Sequence, residues 1–305
     1  MKIGFVLITY RLDLVRRLTD ALTSSPVTAG VAIHHDRKSG PLKVAFRNPE
    51  SVAVVENPVE VHWGDWSQIQ ATITGIELLE SRFPEHDWIV LLSGQDYPTR
   101  PLTELADFLA GSDADACIDC SPAIANWGVE EVRYRYGYDY LTVPGWVPFG
   151  RLSDLLQRYP RFVSSVSVAD GRHCIGIRHR RASVDDLYGG SEWFMTNRRA
   201  TGTIVRAYHD PALARRFRRV LLPSEVFYTT VINNSGHKID VAHRYYQFET
   251  KNAHPEVLTE ASLPDIDVGR AFFARKMDPV VSASLLDILD RRLARDLPPR
   301  VETDN

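Results

Sequence analysis

The chain has 305 residues, of which 44% are apolar and 25% charged, and a formal net charge of -3. These values suit one α/β domain with an ordinary core and give no sign of a partner selected by overall charge, such as nucleic acid or an anionic membrane. Three cysteines, Cys117, Cys120 and Cys174, are too few and odd in number for a disulfide framework, and the single Cys-x-x-Cys has no second pair with which to hold zinc, so they read as buried or idle thiols.

Residues 3–9 form an apolar run that reads as a buried strand. Its apolar part, Ile3 to Ile8, ends after about six residues, short of the about 7–15 apolar residues of a secretory core, and no stretch reaches the roughly 18 of a membrane span, so a cytoplasmic location is expected. Leu12, Leu14, Val15, Leu18, Ala21 and Leu22 recur at helical spacing over residues 12–22. Strands follow at 30–34 and 51–55, then a helix over 67–81 with Ile69, Ile73, Ile76, Leu78 and Leu79 as its apolar stripe. A further strand at 88–92 runs into Ser93-Gly94-Gln95-Asp96, followed by a helix at 102–109 and a strand at 116–119. Strand and helix alternate, which predicts a mostly parallel sheet with helices on both faces and a ligand at the carboxyl ends of the strands. From 121 to about 181 the pattern weakens and Gly, Pro and aromatics crowd in, reading as a loop-rich insertion that walls a substrate. Order returns at 190–194, with helices at 200–208, 211–220 and 225–233 and an amphipathic closing helix over 282–293.

Several groups carry candidate chemistry. An Asp-x-Asp at a strand exit holds a divalent metal through hard oxygens; the exit at 93–96 has one carboxylate, Asp96. The literal pairs Asp113/Asp115 and Asp265/Asp267 sit in turn-like stretches and read as solvated loop. His34 and His35 are adjacent on a strand and point to opposite faces, so a shared metal site is not expected. The run Arg215–Arg219 reads as a solvated helix face. Arg275 and Lys276 follow an apolar segment. Glu225 stands just inside a helix start, where a carboxylate ordinarily compensates the dipole.

Six segments occur in order. They are Ile33-His34-His35-Asp36-Arg37-Lys38-Ser39, His62-Trp63-Gly64-Asp65-Trp66-Ser67-Gln68-Ile69-Gln70, Leu91-Leu92-Ser93-Gly94-Gln95-Asp96-Tyr97-Pro98, Gly190-Ser191-Glu192-Trp193-Phe194, Leu222-Pro223-Ser224-Glu225-Val226-Phe227 and Phe273-Ala274-Arg275-Lys276. Together they resemble the core-2/I-branching β-1,6-N-acetylglucosaminyltransferase family, which also holds the peptide O-xylosyltransferases, and the details lean toward the xylosyltransferase branch.

The resemblance implies a single glycosyltransferase A-type (Rossmann-like) catalytic domain and an inverting, metal-independent transfer from a UDP-sugar, GlcNAc or xylose, to an acceptor hydroxyl. No cofactor is expected. By the same resemblance Glu225 matches the general base of the branching enzymes, and Asp96 matches an aspartate proposed as base in the xylosyltransferases. Glu225 is preferred as base, with Asp96 on a donor or acceptor sugar. Asp36 falls at the uridine site, Trp63 on the donor pocket, and Arg275 and Lys276 at the diphosphate, with Arg244 or Lys251 as a second upstream cation. Glu192 and Trp193 fall on the acceptor side. The chain then divides into a nucleotide-sugar-binding half (1–120), an acceptor-side insertion (121–189) and an acceptor and catalytic half (190–305). It shows no counterpart of the membrane anchor, stem and many cysteines of the animal members, so a bacterial-type enzyme of polysaccharide or glycoconjugate synthesis is expected. The alternatives are a non-catalytic nucleotide- or glycan-binding protein on the same fold, and a metal-dependent transferase using Asp96 with another carboxylate.

Overall fold

Runs of apolar and β-branched residues alternating with amphipathic stretches leave one economical solution, strands side by side with helices laid over both faces. The computed structural model describes residues 1–156, 158–159, 162–168, 170–178, 183–248 and 255–296. A seven-stranded sheet runs, edge to edge, Ile239–Asp240, Ala116–Cys117, Met195–Asn197, Trp88–Ser93, Ile3–Thr9, Thr28–His35 and Val52–Val54. All are parallel except Met195–Asn197, which lies antiparallel to both of its neighbours.

Alternate residues of the central strands point to opposite faces and so feed two cores. Ile3, Phe5 and Leu7 pack with Val15–Thr23, Leu102–Gly111 and Ala283–Leu293; Val6, Ala32 and Leu91 pack with Trp66–Arg82 and Ser224–Asn234. Register aligns the exits: Ile8 stands beside both His34 and Ser93, and Thr9 beside His35. Three loops therefore leave the sheet at one edge.

Beyond that edge lies a small sheet that the sequence pattern did not show. Arg244–Tyr246 runs parallel to Phe273–Arg275, which is antiparallel to Tyr97–Pro98. The three strands are two or three residues long, too short for a periodicity to register. Phe273 is buried and meets Phe5 edge-on at 6.4 Å, tying the small sheet to the large one.

The described residues of the stretch expected to be loop-rich form regular elements. Its base is a two-strand pair, Ser121–Pro122 with Tyr188–Gly189. Between them lie helices Ala123–Trp127, Val129–Tyr136 and Phe149–Leu156 and an antiparallel sheet in the order Tyr138–Thr142, His173–Arg178, Val163–Ser167. Most positions in that sheet are half-buried or exposed on either face, so no clean in-out alternation marks these strands in the sequence.

The thiols are quiet, as read: burial raises Cys117 to about 12 and Cys120 to about 11. Asp113 is solvated and pairs with Lys238, but Asp115 is not loop-like. It accepts from the Asn197 side chain and the Lys238 backbone, and so ties the amino ends of Ala116–Cys117 and Ile239–Asp240 to the carboxyl end of the antiparallel Met195–Asn197. Phe273→Ala is expected to cost about 3–5 kcal/mol through lost burial and a residual cavity, measurable as a drop in the urea midpoint with little change in slope.

Candidate active site

Where the Trp88–Ser93 strand ends, the chain turns tightly and folds a carboxylate back beneath it. The turn needs glycine: a β-carbon on Gly94 would stand 2.3 Å from Thr9 Oγ1 on the neighbouring strand exit. Asp96 is 0% exposed. Its Oδ2 accepts from the Ser93 N–H and lies 2.9 Å from Arg244 Nη1, while its Oδ1 lies 3.7 Å from Arg275 Nε. Arg244 also donates to the Leu91 carbonyl at 2.9 Å. Trp193 packs against both guanidiniums, 4.3 Å from Arg275 and 5.6 Å from Arg244, a cation–π arrangement. Burial pushes Arg244 below its ordinary value and neighbouring Arg275 adds to the shift, while Asp96 opposes it.

The small sheet carries these cations and then Lys276, which is half-buried. Burial first, then Arg275, pushes its amine down, with Asp96 and Glu192 opposing. Met277 N–H donates to the Gln95 carbonyl at 2.8 Å, which fastens the Arg275–Met277 segment to the 93–96 turn.

Opposite stand two more carboxylates. Gly190 opens the Glu192 turn, and a β-carbon there would lie 1.7 Å from the Asp119 carbonyl oxygen. Glu192 is raised by burial and by Asp96, with Arg275, a Ser224 hydrogen bond and Arg244 opposing. Glu225 sits in the first turn of helix Ser224–Asn234, its side chain 32% exposed. Burial lifts it to about 7; Arg135 opposes, and Glu192 and Glu131 add to the shift. The dipole of the helix also favours the carboxylate, and burial outweighs it. Glu192 acts electrostatically on Glu225 and on Lys276, so both sides share one site.

The expected residues therefore divide. Asp96, Glu192, Trp193, Glu225, Arg244, Arg275 and Lys276 come together. Two of them sit otherwise than expected: Asp96 is shut in and binds guanidiniums rather than offering itself to a sugar, and Arg244, its side chain 2% exposed, holds Asp96 rather than facing outward for a phosphate. Both follow from the unforeseen small sheet, which closes over the strand exit. Lys251 lies outside the described residues. Asp36 is buried and accepts from the N–H groups of Lys38 and Val61, each at 3.1 Å, joining two exit loops. Trp63 is 37% exposed at the rim, its carbonyl taking a hydrogen bond from Arg172 at 3.0 Å. Arg135 and Arg172, both from the excursion, escaped the sequence reading; Arg135 shows only an i,i+4 spacing from Glu131, which points along its own helix. His34 is buried and its Nε2 accepts from the Val59 N–H at 3.0 Å, with burial pushing its pKa down. Among the described residues no three His, Cys, Asp or Glu side chains form a group able to hold a metal ion.

Residues 3–142 match the family model described as Core-2/I-Branching enzyme. Over that stretch the chain resembles this family. Among curated proteins, Xylosyltransferase 1 of Mus musculus is 25% identical over 295 residues, covering 87% of this chain and 28% of that protein. Xylosyltransferase oxt of Drosophila melanogaster is 27% identical over 180 residues, 57% of this chain and 17% of that protein. The chain thus spans well under a third of either relative's length. A solved 4-diphosphocytidyl-2C-methyl-D-erythritol synthase from Anaerococcus prevotii superposes at a TM-score of 0.37 with 11% identity, over 89% of this chain and 95% of that one, a likeness too loose to carry an argument.

Asp96→Asn removes the counter-charge from two buried guanidiniums. The expected loss of stability is about 3–5 kcal/mol, read from urea unfolding; a variant within about 0.5 kcal/mol of the parent would show that the ion group does not hold the strand exit.

Proposed function

We propose that the chain is an inverting glycosyltransferase that moves a sugar, GlcNAc or xylose, from a UDP-sugar to an acceptor hydroxyl. The observation that carries this is Glu225, a half-buried carboxyl lifted to about 7 and electrostatically linked through Glu192 to Lys276, Arg275 and Arg244. A base near neutrality on one side and cations on the other are what the reaction requires.

In this reading Glu225 takes the proton of the acceptor hydroxyl as its oxygen attacks the anomeric carbon. The new carbon–oxygen bond forms on the face opposite the breaking one, which inverts the centre. The electron pair of the broken bond departs on the β-phosphate oxygen of UDP. Lys276, the more exposed of the clustered cations, meets that charge, with Arg275 behind it. Asp96 holds Arg244 and Arg275 in place, and Asp36 and Trp63 bound the nucleotide side. Two guanidiniums already pair with the charge of Asp96, which speaks for fixed cations at the diphosphate in place of a metal.

Among the described residues no helix is long and apolar enough to cross a membrane, and Cys117, Cys120 and Cys174 are free thiols. The thiols suit a reducing compartment, and with it a bacterial-type cytoplasmic enzyme of polysaccharide or glycoconjugate synthesis.

UDP release from UDP-GlcNAc and UDP-xylose, with and without EDTA, is the deciding measurement. Release is expected to persist in EDTA, and EDTA-sensitive turnover would remove the metal-independent reading. Glu225→Gln is expected to lower kcat by about 10²–10⁴; turnover at the parent rate would remove the base assignment. Because Glu225 works as the carboxylate, kcat/KM is expected to fall as pH drops through about 7.

A further inference from the structure

The proposed base is gripped from outside the central sheet. Arg135 lies near the end of helix Val129–Tyr136 in the excursion, and its Nη1 is 3.0 Å from Glu225 Oε2. Its backbone carbonyl accepts from the Leu221 N–H at 3.1 Å. One residue thus holds both ends of the Leu221–Glu225 segment. Its Nε is fixed by Glu131 at 2.6 Å, one turn earlier. Its guanidinium lies over the Trp127 ring at 5.3 Å, and that ring packs so closely on Gly189 that a β-carbon there would stand 2.3 Å away. The Arg135 side chain is braced by Glu131 and Trp127 and aimed at the carboxylate.

We propose that Arg135 is a positioning residue for Glu225: it keeps the base ionised and oriented, so that the excursion flanking the acceptor side also sets the pH at which the site works. This rests on Glu225 being the base. The charged groups acting on Glu225 are Arg135 and Glu131 from the excursion helix and Glu192 from the turn before Met195–Asn197. The phenol of Tyr136 is held neutral by burial, with Glu225 adding to the shift. The helix of Glu225 adds only its amino-terminal dipole. Of these side chains Arg135 alone is a cation. Without it, burial and two carboxylates favour the protonated acid, which cannot accept the hydroxyl proton at neutral pH and regains that ability as pH rises. Loss of Arg135 therefore moves the acid limb of the rate profile; it does not lower the rate evenly.

The test compares Arg135→Met and Arg135→Lys with the parent, by kcat/KM across about pH 5.5 to about 9.5 and by ¹³C NMR titration of Glu-Cδ-labelled protein, with Glu225 assigned through Glu225→Gln. In Arg135→Met the Glu225 midpoint is expected to rise by about one pH unit or more. Activity then falls roughly tenfold below the old limb and returns to within a few-fold at the alkaline end, and Arg135→Lys recovers most of the shift. An unmoved Glu225 midpoint in folded Arg135→Met, or an equal loss at every pH, overturns the proposal. If Arg135→Met does not fold, as thermal melting will show, Arg135→Gln is read the same way. The titration needs no turnover, so the two readings fail separately: active Glu225→Gln removes the base, and an unmoved midpoint removes Arg135.

Discussion

A carboxylate taken wholly out of water is costly unless opposite charge goes with it. Asp96 meets that condition with two guanidiniums from a different sheet, and much of the site follows from that pairing. The ion group sits where the Trp88–Ser93 strand ends, so the small sheet must close over that end for the charges to meet. Closing it brings Lys276 alongside Gln95, gives Trp193 two cations to pack against, and leaves Glu192 balanced between the Asp96 group and Glu225. Removing either partner leaves unpaired charge in the interior, which suits such a pairing to specifying one arrangement of two sheets.

Two kinds of carboxyl result from one chemical type. Asp96 is enclosed between two guanidiniums and the Ser93 N–H and serves geometry. Glu225 has one guanidinium, partial burial and a neighbouring carboxylate, and is left poised between its two protonation states. Where titratable groups are driven apart by their surroundings, roles can be assigned from environment.

Apart from Tyr97–Pro98, the strands and helices of the first 120 residues were legible because each lies in a longer apolar run or helical stripe, as Val52–Val54 does in the run 51–55, and meets a core on a known side. The helix at Trp66–Arg82 and the strand at Trp88–Ser93 lie within a residue of expectation. The strands at Met195–Asn197, Arg244–Tyr246 and Phe273–Arg275 were not legible, since three residues carry no period. The candidate residues were found through short motifs, and those motifs name the members of the site without stating who faces whom. Nothing local in the sequence shows that Asp96 would be enclosed, because its enclosure depends on a strand more than 170 residues later. Arg135 was invisible for the same reason: its partner lies 90 residues away.

The excursion leaves the body of the protein at Ser121–Pro122 and returns at Tyr188–Gly189, two segments hydrogen-bonded to each other. A segment whose ends already touch can change length or content without moving the sheet, because closing its loop adds only a slowly growing entropic cost. The large sheet and the ion group beneath Ser93 can then stay fixed while this appendage is recast. In evolutionary terms the fold separates what must be kept from what can vary, and a lineage could reshape the surface beside Glu225 by rewriting the stretch between two neighbouring points.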